Sequence, residues 1–200
     1  MMTRHRSRLG RVVLLSLGVL SSIGLAAHDQ TDPLSPWNDG PARQSILSFV
    51  QEVTDKSSPN YVQPEDRIAT FDQDGTLWAE HPLYAQGMFA IDRLHQLSPQ
   101  HPEWKAQEPF KAVIAGDREA MAKLTEQDWM RIVSATHSGM STTAFLEIAK
   151  RWLATAKHPR FQRPYTELVY LPMREVMDYL RANQFKTYIV TGGGQEFVRA

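Results

Sequence analysis

A short apolar run, Arg67-Ile68-Ala69-Thr70-Phe71, stops abruptly on Asp72-Gln73-Asp74-Gly75-Thr76. A β-favouring segment with no polar alternation predicts a buried parallel strand, the kind that helices cover on both faces. A second such run, Lys186-Thr187-Tyr188-Ile189-Val190, stops on Thr191-Gly192-Gly193-Gly194. Two short strands separated by helical patterns restrict the chain to an α/β class. Both strands end in residues built for chemistry rather than packing. In open parallel sheets, that is the end where ligands gather.

The segments between follow helical spacing. Ile46, Phe49, Val50 and Val53 predict an amphipathic helix over 41–55, opened by Pro41. Residues 83–96 read as a helix, and 98–109 as a proline-punctuated loop. Thr125 and Asp128 form a capping-box pattern ahead of Trp129, Ile132 and Val133. Phe145, Ile148, Ala149, Trp152 and Leu153 mark a helix beginning near Ser141. Residues 158–164 read as a solvated basic connector, and residues 172–182 as a helix running into the second strand. The helical stretch of about 80–165 is too long for one crossover between strands and reads as an inserted cap. The divisions expected are 1–26, 27–79 with the first strand, 80–165 as helical cap, and 166–200 as the return to the core.

Residues 1–26 carry the pattern of an export signal. Arg4, Arg6, Arg8 and Arg11 precede an apolar stretch from Val12 to Leu25, and Ala26 or Ala27 supplies the small residue for cleavage. The stretch falls short of the roughly 20 residues a membrane span needs. An uncleaved anchor is the alternative. The expected location is periplasmic or secreted, with no stable membrane association after cleavage. The whole chain has 22 basic and 22 acidic residues. Removing residues 1–26 takes away four arginines and no acid, leaving 18 basic against 22 acidic residues and a net charge of −4. That balance gives no footprint for nucleic acid. The chain has no cysteine, so stability must come from its core rather than disulfides. No feature specifies an oligomeric state.

Asp72 and Asp74 are two residues apart at a strand end, with Gly75 permitting a sharp bend. Two carboxylates at one centre can divide the work of a nucleophile and a general acid/base. A calcium loop is the competing reading. It fails, because Leu77 falls where an EF-hand needs Gly and Leu83 where it needs Glu. A plain surface turn is the other competitor. The strand ahead of the carboxylates and the glycine turn after the second strand argue against it. A glycine-rich turn entering a helix presents free N–H groups to an anion.

Phe71-Asp72-Gln73-Asp74-Gly75-Thr76-Leu77 resembles the first signature motif of the haloacid dehalogenase superfamily, and Lys186 to Gly192 resembles its second. The resemblance implies a Rossmann-like core with a helical cap, and Mg²⁺-dependent hydrolysis of a small phosphorylated metabolite through an aspartyl-phosphate. It implies Asp72 as nucleophile, Asp74 as general acid/base, both at the Mg²⁺ site, and Thr191 and Gly192 holding the phosphoryl group. The presence of Asp74 favours a phosphatase over a dehalogenase. Ser35-Pro36-Trp37-Asn38-Asp39-Gly40, Trp78, and the stretch from His158-Pro159-Arg160-Phe161 through Thr166-Glu167-Leu168 resemble a secreted bacterial group akin to phosphoserine phosphatases. The family's third motif, with a Lys, and its fourth, with further acids, have no counterpart before Ala200. The expectation is therefore a chain truncated after the second motif, with a non-catalytic remnant as the alternative. Phosphoryl transfer to an acceptor other than water is a further possibility. His81, Tyr84 and Trp78 are secondary pocket candidates.

Overall fold

The computed structural model describes residues 32–200. The export segment expected at 1–26 lies outside the described residues. Strand β1 (Ile68–Phe71) and strand β2 (Lys186–Ile189) pair in parallel, with Ile68 opposite Lys186 and Phe71 opposite Ile189. The pairing extends beyond both strands, since Lys186 N–H donates to Arg67 O at 2.8 Å and Val190 N–H donates to Phe71 O at 2.8 Å. A parallel pair requires a crossover, and the whole helical stretch supplies it.

Helix α1 (Pro41–Thr54) starts with Pro41 in its first turn, where a missing N–H costs nothing. It turns Val50 and Val53 inward. Helix α7 (Leu171–Ala182) contributes Val176 and Leu180 to the same core, which also takes in Leu34, Phe71, Leu77 and Phe185. This layer covers one side of the sheet. The other side is open: Ile68 is 57% exposed and Val190 62%. The sequence pattern predicts buried strands, and only Phe71 of the first meets that expectation. A two-stranded ribbon with helices packed on one side cannot bury both faces.

Between the strands lie α2 (Ala85–Leu97), α3 (Phe110–Ala115), α4 (Arg118–Met121), α5 (Glu126–His137) and α6 (Thr142–Thr155). The expected capping box opens α5: Thr125 Oγ1 accepts from Asp128 N, and Asp128 Oδ2 accepts from Thr125 N. Ser141 Oγ caps α6 by accepting from Ala144 N at 3.2 Å. Gly116, in the left-handed region at φ 65°, ends α3. Phe89 on α2 is the hub of the packing. It is 1% exposed and meets Phe145, Trp152 and Phe197 at centroid distances of 5.8, 5.5 and 5.2 Å. Burying such a side chain contributes about 2–3 kcal/mol. Phe197 belongs to α8 (Gln195–Arg199), so the helix after the glycine turn packs on the inserted helices.

Two buried cationic-type side chains act as fasteners. Arg67 donates from Nε to Val62 O and from Nη1 to Asn183 O, both at 3.0 Å, which pins the α7–β2 turn beside the entry to β1. His158 lies in the segment read as a solvated connector, yet it is 1% exposed. Its Nε2 bonds His81 O at 2.7 Å, and its Nδ1 accepts from Arg160 N at 3.2 Å. Those two bonds make Nε2 the protonated nitrogen and explain how a polar ring is buried.

Candidate active site

The parallel register brings the two strand ends together. Phe71 and Ile189 are partners, so Asp72 and the Val190–Thr191 segment leave the sheet side by side at its carboxyl edge. Asp72 is exposed, and its Oδ1 accepts from Gln73 N at 2.8 Å. The chain then folds into a compact turn. Gln73 O accepts from the N–H groups of Thr76, Leu77 and Trp78, and Gly75 N–H donates back to Trp78 O at 2.8 Å. Gly75 sits at φ 80°. That backbone favours glycine, and a Cβ there would lie 2.7 Å from Glu80 Oε2, so the Glu80 carboxylate would have to shift to admit it.

That turn brings Glu80 close enough to Asp74 for its charge to act there. Burial, then the charges of Asp72 and Glu80, push the Asp74 carboxyl above its usual range. Glu80 accepts from the Tyr170 hydroxyl at 3.3 Å and faces His81 Nε2 at 3.5 Å. Neither Glu80 nor Tyr170 stands out in the sequence as a site residue. The signal was present only as a carboxylate placed shortly after a glycine turn. Trp78 and His81, the secondary candidates, have structural partners: Trp78 Nε1 donates to Tyr165 O at 2.6 Å and its ring stacks on Phe197. Tyr84 is exposed.

On the second strand, Thr191 Oγ1 accepts from Gly193 N at 3.1 Å, and Gly194 N–H donates to Gln86 Oε1 at 2.7 Å. Gly192 is exposed, and its N–H has no acceptor among the described residues. A pocket of about 360 Å³ adjoins this turn, lined by Gln86, His137, Phe145, Gly194 and Glu196 among others. Arg160 and Arg163, the basic cluster of the sequence, line a separate cavity with His81 and Tyr170. Arg163 is already paired with Glu167 at 3.0 Å.

The haloacid dehalogenase-like hydrolase family model matches residues 67–200, from the base of β1 to the last residue. The chain belongs to this family. No curated protein matches it. A haloacid dehalogenase-like hydrolase has an α/β Rossmann-like core, and the parallel pair flanked by helices conforms to it.

Members of this family generally use Mg²⁺, and the residues present can be tested for fit. Among the described residues no cluster of three or more side chains forms a metal-holding group. Asp72 and Asp74 are nonetheless a hard oxygen pair, with Glu80's charge acting on Asp74. No Lys or Arg side chain pairs with any of the three among the described residues. Mg²⁺ keeps several waters and needs only one or two protein carboxylates, so this donor set fits it. It does not fit a zinc site, which draws on His and Cys.

Proposed function

We propose that this hydrolase removes the phosphoryl group from a small phosphorylated metabolite in a Mg²⁺-dependent reaction. One observation carries the reading: a carboxylate pair and a Thr-Gly turn leave adjacent parallel strands at the same edge, locked by the Val190–Phe71 hydrogen bond. A nucleophile and an anion cradle must face one phosphorus atom, and the shared strand edge supports that reading.

Asp72 attacks phosphorus, forming an aspartyl-phosphate as the ester P–O bond breaks. Asp74 gives a proton to the departing alkoxide. Deprotonated, it then takes a proton from the water that cleaves the acyl phosphate and restores Asp72. Thr191 Oγ and the Gly192 N–H hold the transferring oxygens, as backbone donors commonly do for phosphate. Asp72 and Asp74 would hold Mg²⁺, which supplies charge neutralisation of the phosphoryl oxygens. Residues 80–165 are assigned as the cap that admits the substrate. Residues 1–26 are assigned as the export signal of a periplasmic or secreted protein, testable by mass spectrometry of the mature N-terminus.

The test is release of nitrophenol from p-nitrophenyl phosphate by the full chain. Turnover should require Mg²⁺ and should vanish in Asp72→Asn at unchanged circular dichroism. Turnover that survives the substitution removes Asp72 as nucleophile. A second reading, a non-catalytic member of the family, draws on the exposed Ile68, Tyr188, Ile189 and Val190 of the sheet. A folded wild-type chain with no Mg²⁺-dependent turnover would favour it.

A further inference from the structure

Two observations outside the carboxylate loop converge on Gln86, a residue of α2 that bridges to the glycine turn. Its Oε1 accepts from Gly194 N at 2.7 Å, across 108 residues of sequence. Its Nε2 lies 3.3 Å from His137 Nε2, at the end of α5. His137 Nδ1 in turn lies 2.8 Å from Thr136 Oγ1, whose own proton goes to Ile132 O at 2.8 Å.

Donor and acceptor bookkeeping leaves one arrangement. The Gly194 N–H can only donate, so the Gln86 carbonyl faces it and the Gln86 NH₂ faces His137, which leaves His137 Nδ1 as the donor to Thr136 and the Thr136 proton on Ile132 O. His137 Nε2 is then a lone-pair acceptor. The amide is thus held between the Gly194 N–H and a half-buried imidazole on a different helix. Burial keeps that imidazole neutral, with its pKa down at about 4, so the arrangement holds at neutral pH.

The glycines fit this contact. A Cβ on Gly194 would lie 2.7 Å from Gln86 Nε2, and one on Gly193 would lie 3.3 Å from Gln86 Oε1. Gly193 and Gly194 are small where the amide is seated. Gly193 N–H is itself held by Thr191 Oγ1 at 3.1 Å, so fixing Gly194 fixes the segment that carries Thr191 and Gly192.

We propose that Gln86 is a positioning residue for the phosphate cradle: its amide, braced by His137, holds the Gly193–Gly194 backbone so that Thr191 and Gly192 face the incoming phosphoryl group. This rests on the phosphoryl reading of Thr191 and Gly192. The latch itself is measurable without turnover.

The experiment compares the full wild-type chain with Gln86→Leu, Gln86→Glu and His137→Phe. One readout is amide hydrogen exchange at Gly194 by NMR, and the other is affinity for inorganic phosphate with Mg²⁺. Gln86→Leu should speed Gly194 exchange about tenfold and weaken phosphate by a similar factor, the scale of one lost hydrogen bond. His137→Phe keeps an aromatic ring in the cluster but removes the acceptor, and should shift both readouts in the same direction. Gln86→Glu retains a carbonyl-type acceptor, so exchange protection should return. Phosphate affinity should still fall, because a negative charge now sits at the cradle. A purely structural role would not separate the two readouts in this way. Unchanged Gly194 exchange in a folded Gln86→Leu chain that still binds phosphate overturns the latch and spares the phosphoryl reading. Accelerated exchange with no phosphate binding even in wild type overturns the cradle assignment instead, and the positioning role with it.

Discussion

The indole Nε1 of Trp78 donates to the main-chain carbonyl of Tyr165 at 2.6 Å, joining positions 87 residues apart. Around it, Ala79 N–H donates to Leu168 O and Tyr170 N–H to Leu77 O. The carboxylate loop is therefore fastened at its far end to the segment leading into α7. Replacing Trp78 with Phe keeps a ring against Phe197 but removes the donor. Leu168 N–H still satisfies Tyr165 O, so the loss should be modest, about 1 kcal/mol. Urea denaturation measures it, and a loss of several kcal/mol would show that the ring's packing dominates.

Gly75 sets a sharper constraint. Gly75→Ala places a methyl against the Glu80 carboxylate and forces alanine to φ 80°. Strain of that kind costs about 1–3 kcal/mol. The matched control is Gly139→Ala: that glycine also has positive φ, at 77°, but nothing lies within 4 Å of its added Cβ. Gly75→Ala should lower the urea midpoint more than Gly139→Ala. Equal losses would mean that backbone strain alone, without the Glu80 contact, accounts for the effect.

What the sequence made legible is local. The strand ends at Asp72 and Thr191, the capping box at Thr125 and Asp128, and the apolar stripe of α6 are all patterns within a few residues. Helices α3 and α4 were not legible, since six and four residues are too few to show a 3.6-residue period. His158 lay in a segment that read as solvated because charge and polarity usually are, and its burial, like the seating of Arg67, depends on acceptors at His81 and Asn183 that no local pattern reveals. Glu80 joined the site only because Gly75 reverses the chain. Gln86 and His137 were invisible for a related reason: their partners are 108 and 51 positions away.

Gln73 offers a test of the loop's interior. Its side chain is 8% exposed, and Oε1 is buried without a hydrogen-bond partner. An orphaned buried carbonyl carries an uncompensated desolvation cost. Gln73→Met is close in volume and removes that oxygen. It should raise stability by about 1 kcal/mol in urea denaturation. A loss of stability would mean that the amide has a partner in solution, such as a bound water.

His137 gives the fold a pH dependence whose sign follows from its environment. Burial holds its imidazole at about 4, against 6.5 for an unhindered histidine; the main-chain hydrogen bond to Val133 acts the other way, and the Arg93 charge adds a smaller push downward. Above 6.5 the ring is neutral whether the chain is folded or not, and it contributes no pH dependence. Below 6.5 the unfolded chain takes up a proton that the folded chain refuses until about 4. Protons therefore favour the unfolded state in that window, and stability falls as pH falls. Allowing for the ring's partial exposure, the loss between pH 7 and pH 5 should be about 1–2 kcal/mol. Urea denaturation at the two pH values measures it in wild type and in His137→Phe. The variant, with no imidazole to protonate, should lose markedly less over the same interval. An equal loss in both proteins would show that other groups govern this range and that the imidazole titrates in the folded chain as it does in the unfolded one.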